Sequence, residues 1–417
     1  MNAKRLALFL AASLLAVWPA GSAGRPQLKY VVIVSRHGVR SPTWETARLN
    51  EYSAEPWPEW NVPPGNLTPH GHRLIDLMGS YYREWLAAEH LLGAAGCEDA
   101  KRIYIRADKD QRTVETGHAF AESLAPGCAV EVNSQADRRQ DPLFSGVGTP
   151  DPEHMLAALR ERLGPNPQNL IAEHRAAFDT LQAILRGKPV EPSPVGVALK
   201  GKSVELTGPF ATGSTFSECL LLEYTNGMAG AALGWGRLTR ENLERALEVH
   251  AVYADLMRRT PYLARARGSN LLSHVLRSLE QAETGKTVPG AIGRPGDALL
   301  LLAGHDTNLS NLSGMLGLFW KLAGYQPDDT PPGGALIFSL WRDPATGKYS
   351  VKLRYVAQSL DQMRHAAQLS LADPPESQDV ALPGCPAAGC PWEAARLAIE
   401  KAIDPQFTDS LPASAAR

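Results

Sequence analysis

The sequence has almost no net charge and no long hydrophobic run. Its 42 lysines and arginines nearly balance 44 aspartates and glutamates, which leaves a formal net charge of −2. Such a chain has no general electrostatic attraction to nucleic acid or to an anionic membrane. The apolar run near the amino terminus, Leu6–Val17, is well short of the ~20 residues that a membrane-spanning helix needs. We therefore expect no nucleic-acid partner, no retained membrane anchor, and only local anion sites.

The amino-terminal segment has the pattern of a secretory signal peptide. Lys4 and Arg5 precede the apolar run, and the small residues Gly21, Ser22 and Ala23 follow it. A positive region, a short apolar core and a small-residue cleavage site are the three parts of such a signal. We predict that residues 1–23 are removed and that the mature protein is periplasmic or secreted.

Cysteine is scarce, with five residues in the chain and no CxxC pair. The missing CxxC spacing argues against a structural zinc site. An exported protein keeps disulfide bonds that the cytosol would reduce, and we predict the pairs Cys97–Cys128 and Cys385–Cys390. Cys219 is left over; apolar residues surround it at helical spacing, which indicates a buried, non-catalytic thiol.

Signatures of several other site classes are missing or incomplete. The sequence contains no GxSxG motif, the commonest signal of a serine hydrolase. The GKT at Gly285–Thr287 lacks the earlier glycine of a phosphate-binding loop, because Glu280 occupies that position. The PHGH at Pro69–His72 coincides with the predicted start of a helix, and we assign no metal to it.

The chain is longer than one hydrophobic core normally supports. Strand and helix patterns alternate near both ends, whereas helical patterns fill the middle. We therefore predict an α/β fold: a layered α/β domain with a central mixed sheet flanked by helices, formed by residues 24–140 and 285–417, and a smaller, mostly helical inserted domain at 141–284. The Pro- and Gly-rich segment 187–201 is predicted to be a surface loop, and the chain after Ser370 a loop-rich tail.

The predicted strands are Leu28–Arg36, Arg102–Ala107, Ala129–Asn133, Ala298–His305, Ala335–Trp341 and Tyr349–Val356. The predicted helices are Leu74–Leu92, Gln111–Leu124, His154–Leu163, Leu170–Arg186, Thr215–Tyr224, Glu241–Arg259 and Leu263–Leu279.

Two of these strands run directly into clusters of polar residues. The segment VVIVSRHGVRSP, Val31–Pro42, places two arginines and a histidine just beyond a buried strand, and AGHDTN, Ala303–Asn308, follows the apolar run ALLLL. Ligands of α/β folds collect in the crevice beyond the carboxyl ends of the strands. The sequence therefore predicts that both clusters line one crevice.

The R-H-G-x-R-x-P motif with a later H-D resembles the signature of the histidine acid phosphatases, the secreted branch of the histidine phosphatase superfamily. The resemblance extends to WPEWNVPPGNLTPHG, DQRTVETG, GWGRLT, PPGGALIF and the late cysteine pair, and it covers nearly the whole mature chain. It looks closest to bacterial periplasmic phytases and glucose-1-phosphatases.

This resemblance implies a phosphatase that needs neither a metal nor another cofactor. His37 would be the nucleophile that forms a phosphohistidine, and Asp306 would be the general acid that protonates the leaving oxygen. A general acid must be protonated, so an acid pH optimum is expected. Planar guanidinium groups suit phosphate geometry, and a further donor would stabilise the transition-state charge. The implied phosphate-binding residues are Arg36, Arg40, Arg112 and His305.

The resemblance also implies a substrate pocket around the phosphate site. The implied pocket residues are Thr43, Trp44, Asp108, Glu218, His250, Arg267 and Thr307. Trp44 departs from the family pattern, because typical phytases carry a lysine at that position. An aromatic ring there suits stacking on a sugar or aryl group, which loosens the assignment to phytate.

Three functions remain open at this point. They are an exported acid phosphatase of phytase type acting on inositol hexakisphosphate, a sugar phosphatase resembling glucose-1-phosphatase, and a phosphate-ligand binding protein without turnover. Intact His37, His305 and Asp306 favour catalysis. In each case we expect a monomer whose partner is a small-molecule phosphate monoester.

Overall fold

The computed structural model describes residues 24–93, 96–135, 140–190 and 194–409. The predicted signal peptide, residues 1–23, lies outside these ranges. Within them, no helix is long and apolar enough to cross a bilayer.

A mixed β-sheet lies at the centre of the molecule, and a separate two-stranded hairpin accompanies it. The strands of the described ranges are β1 (Gln27–Arg36), β2 (Ile103–Ala107), β3 (Val132–Ser134), β4 (Gly196–Lys200), β5 (Ser203–Thr207), β6 (Leu299–Gly304), β7 (Ala335–Arg342), β8 (Tyr349–Ala357), β9 (Glu376–Val380) and β10 (Cys390–Pro391). The main sheet has the order β10-β8-β7-β1-β6-β2-β3, with β9 paired to β8.

Strand β1 lies between β6, to which it is parallel, and β7, to which it is antiparallel. Its residues from Tyr30 onward are all buried, and β6 is buried along its whole length. Continuous apolar runs of this kind are typical of strands covered on both faces. The register pairs Arg36 with Gly304, so β1 and β6 end side by side. The residues that follow them, His37 and His305, therefore meet at one edge of the sheet.

Helices cover the sheet and make up most of the remaining regular structure in the described ranges. They are α1 (Thr46–Leu49), α2 (Pro69–Ala88), α3 (Gln111–Leu124), α4 (Pro142–Ser145), α5 (Pro152–Leu163), α6 (Asn169–Glu173), α7 (Arg175–Leu185), α8 (Pro209–Thr225), α9 (Arg240–Arg259), α10 (Pro261–Thr284), α11 (Asp306–Leu316), α12 (Leu360–His365) and α13 (Trp392–Ala402).

The start of α2 packs directly on the loop that follows β1. Thr68 caps the helix by accepting a hydrogen bond from the backbone N–H of Gly71, and Pro69 at the first helical position is pre-set for this geometry. A Cβ atom at Gly71 would lie 2.0 Å from the carbonyl oxygen of Val39. Only glycine permits this approach, which presses α2 against the Arg36–Arg40 segment.

The buried apolar residues form a main cluster and a smaller one. The main cluster joins the sheet to helices of the predicted insertion, including Phe216 of α8 and Leu272 of α10. The smaller cluster includes Met155, Val204 and Leu256. The domain boundaries given above stay a prediction.

Two predictions of irregular structure are wrong. Within the expected loop 187–201, β4 pairs with β5 in an antiparallel hairpin, because Val204 and Leu206 alternate with less buried residues and pack into the smaller cluster. The flanking prolines and glycines obscured this period-two pattern.

The chain after Ser370 is also more regular than expected. It contains β9, β10 and α13, and α13 buries Trp392, Ala395, Ile399 and Ala402. These residues recur at intervals of three or four and form one helical face. Separately, the single helix predicted over Leu170–Arg186 is divided into α6 and α7 at His174.

Both predicted disulfide bonds are present, Cys97–Cys128 and Cys385–Cys390. Cys219 is a buried free cysteine. Burial raises the pKa of its thiol, which disfavours the reactive thiolate.

Candidate active site

The backbone at the end of β1 fixes the position of His37. Its N–H donates to the carbonyl of Gly304 (2.9 Å), and its carbonyl accepts from the N–H of Gly333 (2.9 Å). Its ring nitrogen Nδ1 lies 2.8 Å from the carbonyl oxygen of Gly38. Because a carbonyl only accepts, Nδ1 carries the proton and Nε2 presents a lone pair.

The surroundings of His37 keep its imidazole neutral. Burial lowers the pKa of His37, and the positive charges of Arg36, Arg112 and Arg40 lower it further, well below its usual range. A neutral imidazole with a free Nε2 is the nucleophilic form. His37 therefore keeps its nucleophilic lone pair in acid, where an exposed histidine would be protonated.

Arg36 and Arg40 share one carboxylate. The Glu218 carboxylate accepts from Arg36 Nη2 through Oε1 and pairs with Arg40 Nη2 through Oε2 (3.1 Å). Arg36 Nη1 also donates to the carbonyl of Thr330 (2.6 Å). Burial alone would raise the pKa of Glu218, but Arg40 and Arg36 outweigh it and lower the pKa to about 2. Glu218 is thus the fixed anion that orients two guanidinium groups.

In the described part of the chain, each of the three arginines whose charges act on His37 has a buried Nε donor without a partner. The Nε atoms of Arg36, Arg40 and Arg112 are buried, and none makes a hydrogen bond to any described part of the chain. A buried donor left unpaired costs about 1–3 kcal/mol. All three positive charges act on His37. The arrangement is therefore suited to an anion with several acceptor oxygens.

His305 joins the crevice from the end of β6. Its ring centroid lies 5.6 Å from that of His37, its Nε2 is 2.7 Å from Asp108 Oδ2, and its Nδ1 is 3.5 Å from Arg112 Nη2. Burial raises the pKa of Asp108, but the hydrogen bond and charge of His305, the N–H of Lys109 and the charge of Arg112 together outweigh burial and lower that pKa overall. Asp108 follows β2 directly, beside β6, so the sheet register brings these residues together.

Asp108, Asp110 and His305 place potential metal ligands within 4.8 Å of one another. Asp110 forms a salt bridge with Arg112 (2.6 Å), and Asp108 is hydrogen-bonded to His305. A guanidinium in contact with one carboxylate opposes a cation at the same place. We assign no metal to this group.

Asp306 is the first residue of α11. Its Oδ1 accepts from the N–H of Thr307 (2.8 Å), and its Oδ2 lies 2.6 Å from Arg258 Nη1. Burial alone would raise the pKa of Asp306, but the charges of Arg258, Arg36 and His250 outweigh it and hold the pKa well below its usual range. In the free protein Asp306 is a carboxylate.

Sequence reasoning missed Arg258. It lies on α9 eight residues after His250, so both residues lie on one side of the helix. His250 is buried, with Nδ1 2.9 Å from Ser214 Oγ, and its charge acts on both Asp306 and Glu218. Continuing the helical face that contains His250 would have identified Arg258.

The remaining predicted pocket residues fall into two groups. Arg267 is partly buried and lies close to Arg258. Burial and the charge of Arg258 lower the pKa of Arg267. Thr307 Oγ1 lies 3.4 Å from Asp306 Oδ1. Thr43 is exposed. Trp44 packs edge-on against Phe216, with ring centroids 5.9 Å apart. The structure thus places Thr307 next to Asp306 and Arg267 close to Arg258, whereas Thr43 and Trp44 lie just before helix α1.

A neutral, buried histidine under the charge of three arginines, with a carboxyl group at the adjacent strand end, suits phosphoryl transfer. Residues 27–153 and 214–356 match the family model of the histidine phosphatase superfamily (branch 2). The chain belongs to this superfamily and is a phosphoric monoester hydrolase.

Individual relatives agree with this assignment. Phytase AppA of Escherichia coli (strain K12) is 38% identical over 389 residues, which cover 86% of this chain and 88% of that protein. Glucose-1-phosphatase of Providencia rettgeri is 27% identical over 399 residues, 90% of this chain and 92% of that protein. The structure of Hafnia alvei phytase in complex with tartrate matches with a TM-score of 0.85 at 36% identity, covering 95% of this chain and 100% of that chain.

Proposed function

We propose that the protein is an exported, monomeric acid phosphatase of phytase type that hydrolyses inositol hexakisphosphate through a phosphohistidine. The observation that carries this proposal is a neutral, buried His37 under the charge of three arginines, each of which has an unpartnered Nε–H donor within the described ranges. The similarity to two phytases over most of the chain supports the substrate class.

The first chemical step transfers the phosphoryl group to the protein. His37 Nε2 attacks phosphorus and forms a P–N bond while the P–O bond to the alcohol breaks. Asp306 gives its proton to the leaving oxygen, so this oxygen departs as a hydroxyl group and not as an alkoxide. Charge that develops on the equatorial oxygens is stabilised by the surrounding donors. These donors belong to Arg36, Arg40, Arg112 and His305.

The second step returns His37 to its starting state. Water attacks phosphorus, the Asp306 carboxylate accepts a proton from that water, and the P–N bond breaks. Asp306 is then protonated, and it releases this proton as inorganic phosphate leaves. One carboxyl group thus serves as acid in the first step and as base in the second, which balances protons over the cycle.

The ionised state of Asp306 in the free protein requires that a proton arrive with the substrate. A phosphate group brings negative charge next to Asp306 and offsets the arginine charges that lower its pKa. Proton uptake on binding is favoured in acid. The proposal therefore keeps the acid pH optimum and assigns it to the substrate complex.

The balance of charge favours a substrate with several phosphates. Besides the three arginines assigned to the transferred group, Arg258 contacts Asp306 and Arg267 lies close to Arg258. Arg267 forms no salt bridge within the described ranges. At Trp44 the guanidinium of Arg48 lies over the indole, 3.5 Å from the ring centroid. Arg48 therefore supplies a cation where Trp44 replaces the lysine of typical phytases.

A sugar phosphatase is the second candidate. The similarity to a glucose-1-phosphatase and the aromatic surface of Trp44 favour it. Catalytic efficiencies of the purified protein at acid pH decide between the two, with inositol hexakisphosphate, glucose 1-phosphate and p-nitrophenyl phosphate as substrates. We expect the highest value for inositol hexakisphosphate. A higher value for glucose 1-phosphate would reassign the substrate, and no phosphate release from any of them would refute an enzymatic role.

A further inference from the structure

Asp306 and Arg258 form an ion pair that conflicts with the role of Asp306 in the first chemical step. Arg258 Nη1 lies 2.6 Å from Asp306 Oδ2, and both side chains are largely shielded, with 14% and 13% of their surfaces exposed. A general acid must carry a proton. A carboxylate held by a guanidinium at this distance is in the opposite state, because the opposite charge favours ionisation.

Arg258 differs from the other arginines near Asp306 in its freedom to change partners. Arg36 is held by Glu218 and by the Thr330 carbonyl, and Arg112 is paired with Asp110. In the described part of the chain, Arg258 hydrogen-bonds to Asp306 alone. Once Asp306 takes up a proton, the charge that holds Arg258 is gone.

Several charged or titratable groups besides Arg258 act on Asp306 or on the pair. They come from β1 and the loop after it, from α3, α8, α9 and α10, and from β8. These groups are Arg36, His37, Arg112, Glu218, His250, Tyr253, Arg267 and Tyr355. In the described part of the chain, none of these groups hydrogen-bonds to the Asp306 carboxylate, whereas Arg258 does. Removal of Arg258 therefore perturbs Asp306 most directly.

We propose that Arg258 is the positioning residue of the general acid: it holds Asp306 as a carboxylate in the free protein and transfers to a phosphate of the substrate as Asp306 takes up the proton for the leaving group. The inference rests on the proposed function and adds a residue to it. It makes anion binding and protonation of Asp306 one coupled event.

The pH profile of an Arg258→Gln variant tests this coupling. Without the guanidinium charge, Asp306 of the free protein stays protonated to higher pH. The alkaline limb of kcat/KM for an alkyl phosphate, which reports the free protein, therefore moves up by about one to two pH units. Arg258→Lys retains the charge, so the alkaline limb of this variant is expected to lie close to that of the unmodified protein. Arg245→Gln, at an exposed position of the same helix, is the matched control and leaves the limb in place. An unmoved limb in a folded Arg258→Gln variant overturns the proposal.

Proton uptake on anion binding gives a second test that needs neither turnover nor the Arg258 variant. Inorganic sulfate is the probe, because it does not titrate in this range. Calorimetry at about pH 4, in two buffers of different ionisation enthalpy, measures the protons taken up. We expect about one proton for the unmodified protein and markedly fewer for Asp306→Asn. Equal uptake by both proteins, or none by the unmodified one, contradicts the proposal.

These outcomes separate the inference from the proposed function. If no phosphate monoester is hydrolysed but Asp306-dependent uptake is observed, the proposed function fails and the coupling stands. If hydrolysis is observed without that uptake, the function stands and the role of Arg258 fails.

Discussion

The two sides of the crevice are built in different ways. On the sheet side, His37 and His305 follow adjacent strand ends, and backbone hydrogen bonds hold His37 between Gly304 and Gly333. On the helical side, Asp306, the proposed general acid, is held by a side-chain pair between α9 and α11. Backbone pairing leaves little freedom at the phosphate site, whereas a side-chain pair can exchange partners. The difference suggests that phosphate binding is rigid and that proton delivery is adjustable.

The largest effect is expected on the sheet side, from His37→Ala. Loss of the nucleophile removes the covalent route and lowers kcat by roughly 10⁴-fold or more. Phosphate release from inositol hexakisphosphate at acid pH measures it. His118→Ala, at an exposed position of α3, is the matched control and is expected to retain activity. A His37→Ala protein with more than a tenth of the original kcat would contradict the assignment.

Asp306→Asn tests the helical side and is expected to depend on the leaving group. An alkoxide leaves poorly without a proton, so kcat for an alkyl phosphate falls by about 10²–10⁴-fold. An aryl phosphate such as p-nitrophenyl phosphate needs less protonation and loses much less. Steady-state rates on both substrates provide the test, and equal losses would remove the general-acid role from Asp306.

Glu218, which pairs with Arg36 and Arg40 on the sheet side, is expected to contribute to the free energy of unfolding. Its folded pKa of about 2 lies below its ordinary value of 4.5, so its contribution is fully present above the ordinary pKa and is lost as pH falls through the folded one. This contribution is about 3 kcal/mol. Denaturant unfolding at several pH values measures it. Glu218→Gln is expected to be less stable at pH 6 and to show a smaller loss on acidification; an unchanged pH dependence would show that Glu218 is not ionised between the two arginines.

Arg48→Ala is the smallest perturbation. Arg48 is exposed and lies over Trp44, and exposed charges contribute little. We expect the catalytic efficiency on inositol hexakisphosphate to fall by about two- to fivefold, while that on glucose 1-phosphate stays nearly constant. Arg73→Ala, an exposed arginine of α2, is the control. Equal changes on both substrates would mean that Arg48 does not contribute to the preference.

The contrast between the sheet side and the helical side also explains which site residues could be predicted from the sequence. The Val31–Pro42 and Ala303–Asn308 segments each carry polar residues at the end of a buried apolar strand, and this pattern alone located both strand ends of the crevice. The pairing of Glu218 with two arginines is a contact between α8 and the end of β1, and no local pattern encodes it. Arg258 was missed because it lies beside Arg259 in an ordinary basic helix end. The helical face of His250 separates the two arginines, but the meeting of that face with Asp306 depends on the packing of α9 on α11.

Regular structure was missed where turn-forming residues dominated the composition. In the β4–β5 hairpin the alternation of Val204 and Leu206 is only a few residues long and lies beside prolines and glycines. The helix α13 follows the Cys385–Cys390 loop, whose composition suggested an irregular tail. In both cases the apolar face packs against a partner that is distant in the sequence. The partner is the smaller apolar cluster for the hairpin and α10 for α13.

The most direct test of the account is a rapid-quench experiment with a substrate labelled in its phosphate. The unmodified protein, stopped within the first turnover, is expected to carry label that is stable in alkali and lost in acid, as a phosphohistidine is, and His37→Ala is expected to carry none. Absence of labelled protein during turnover, or label of the same kind on the His37→Ala variant, would contradict a mechanism based on His37.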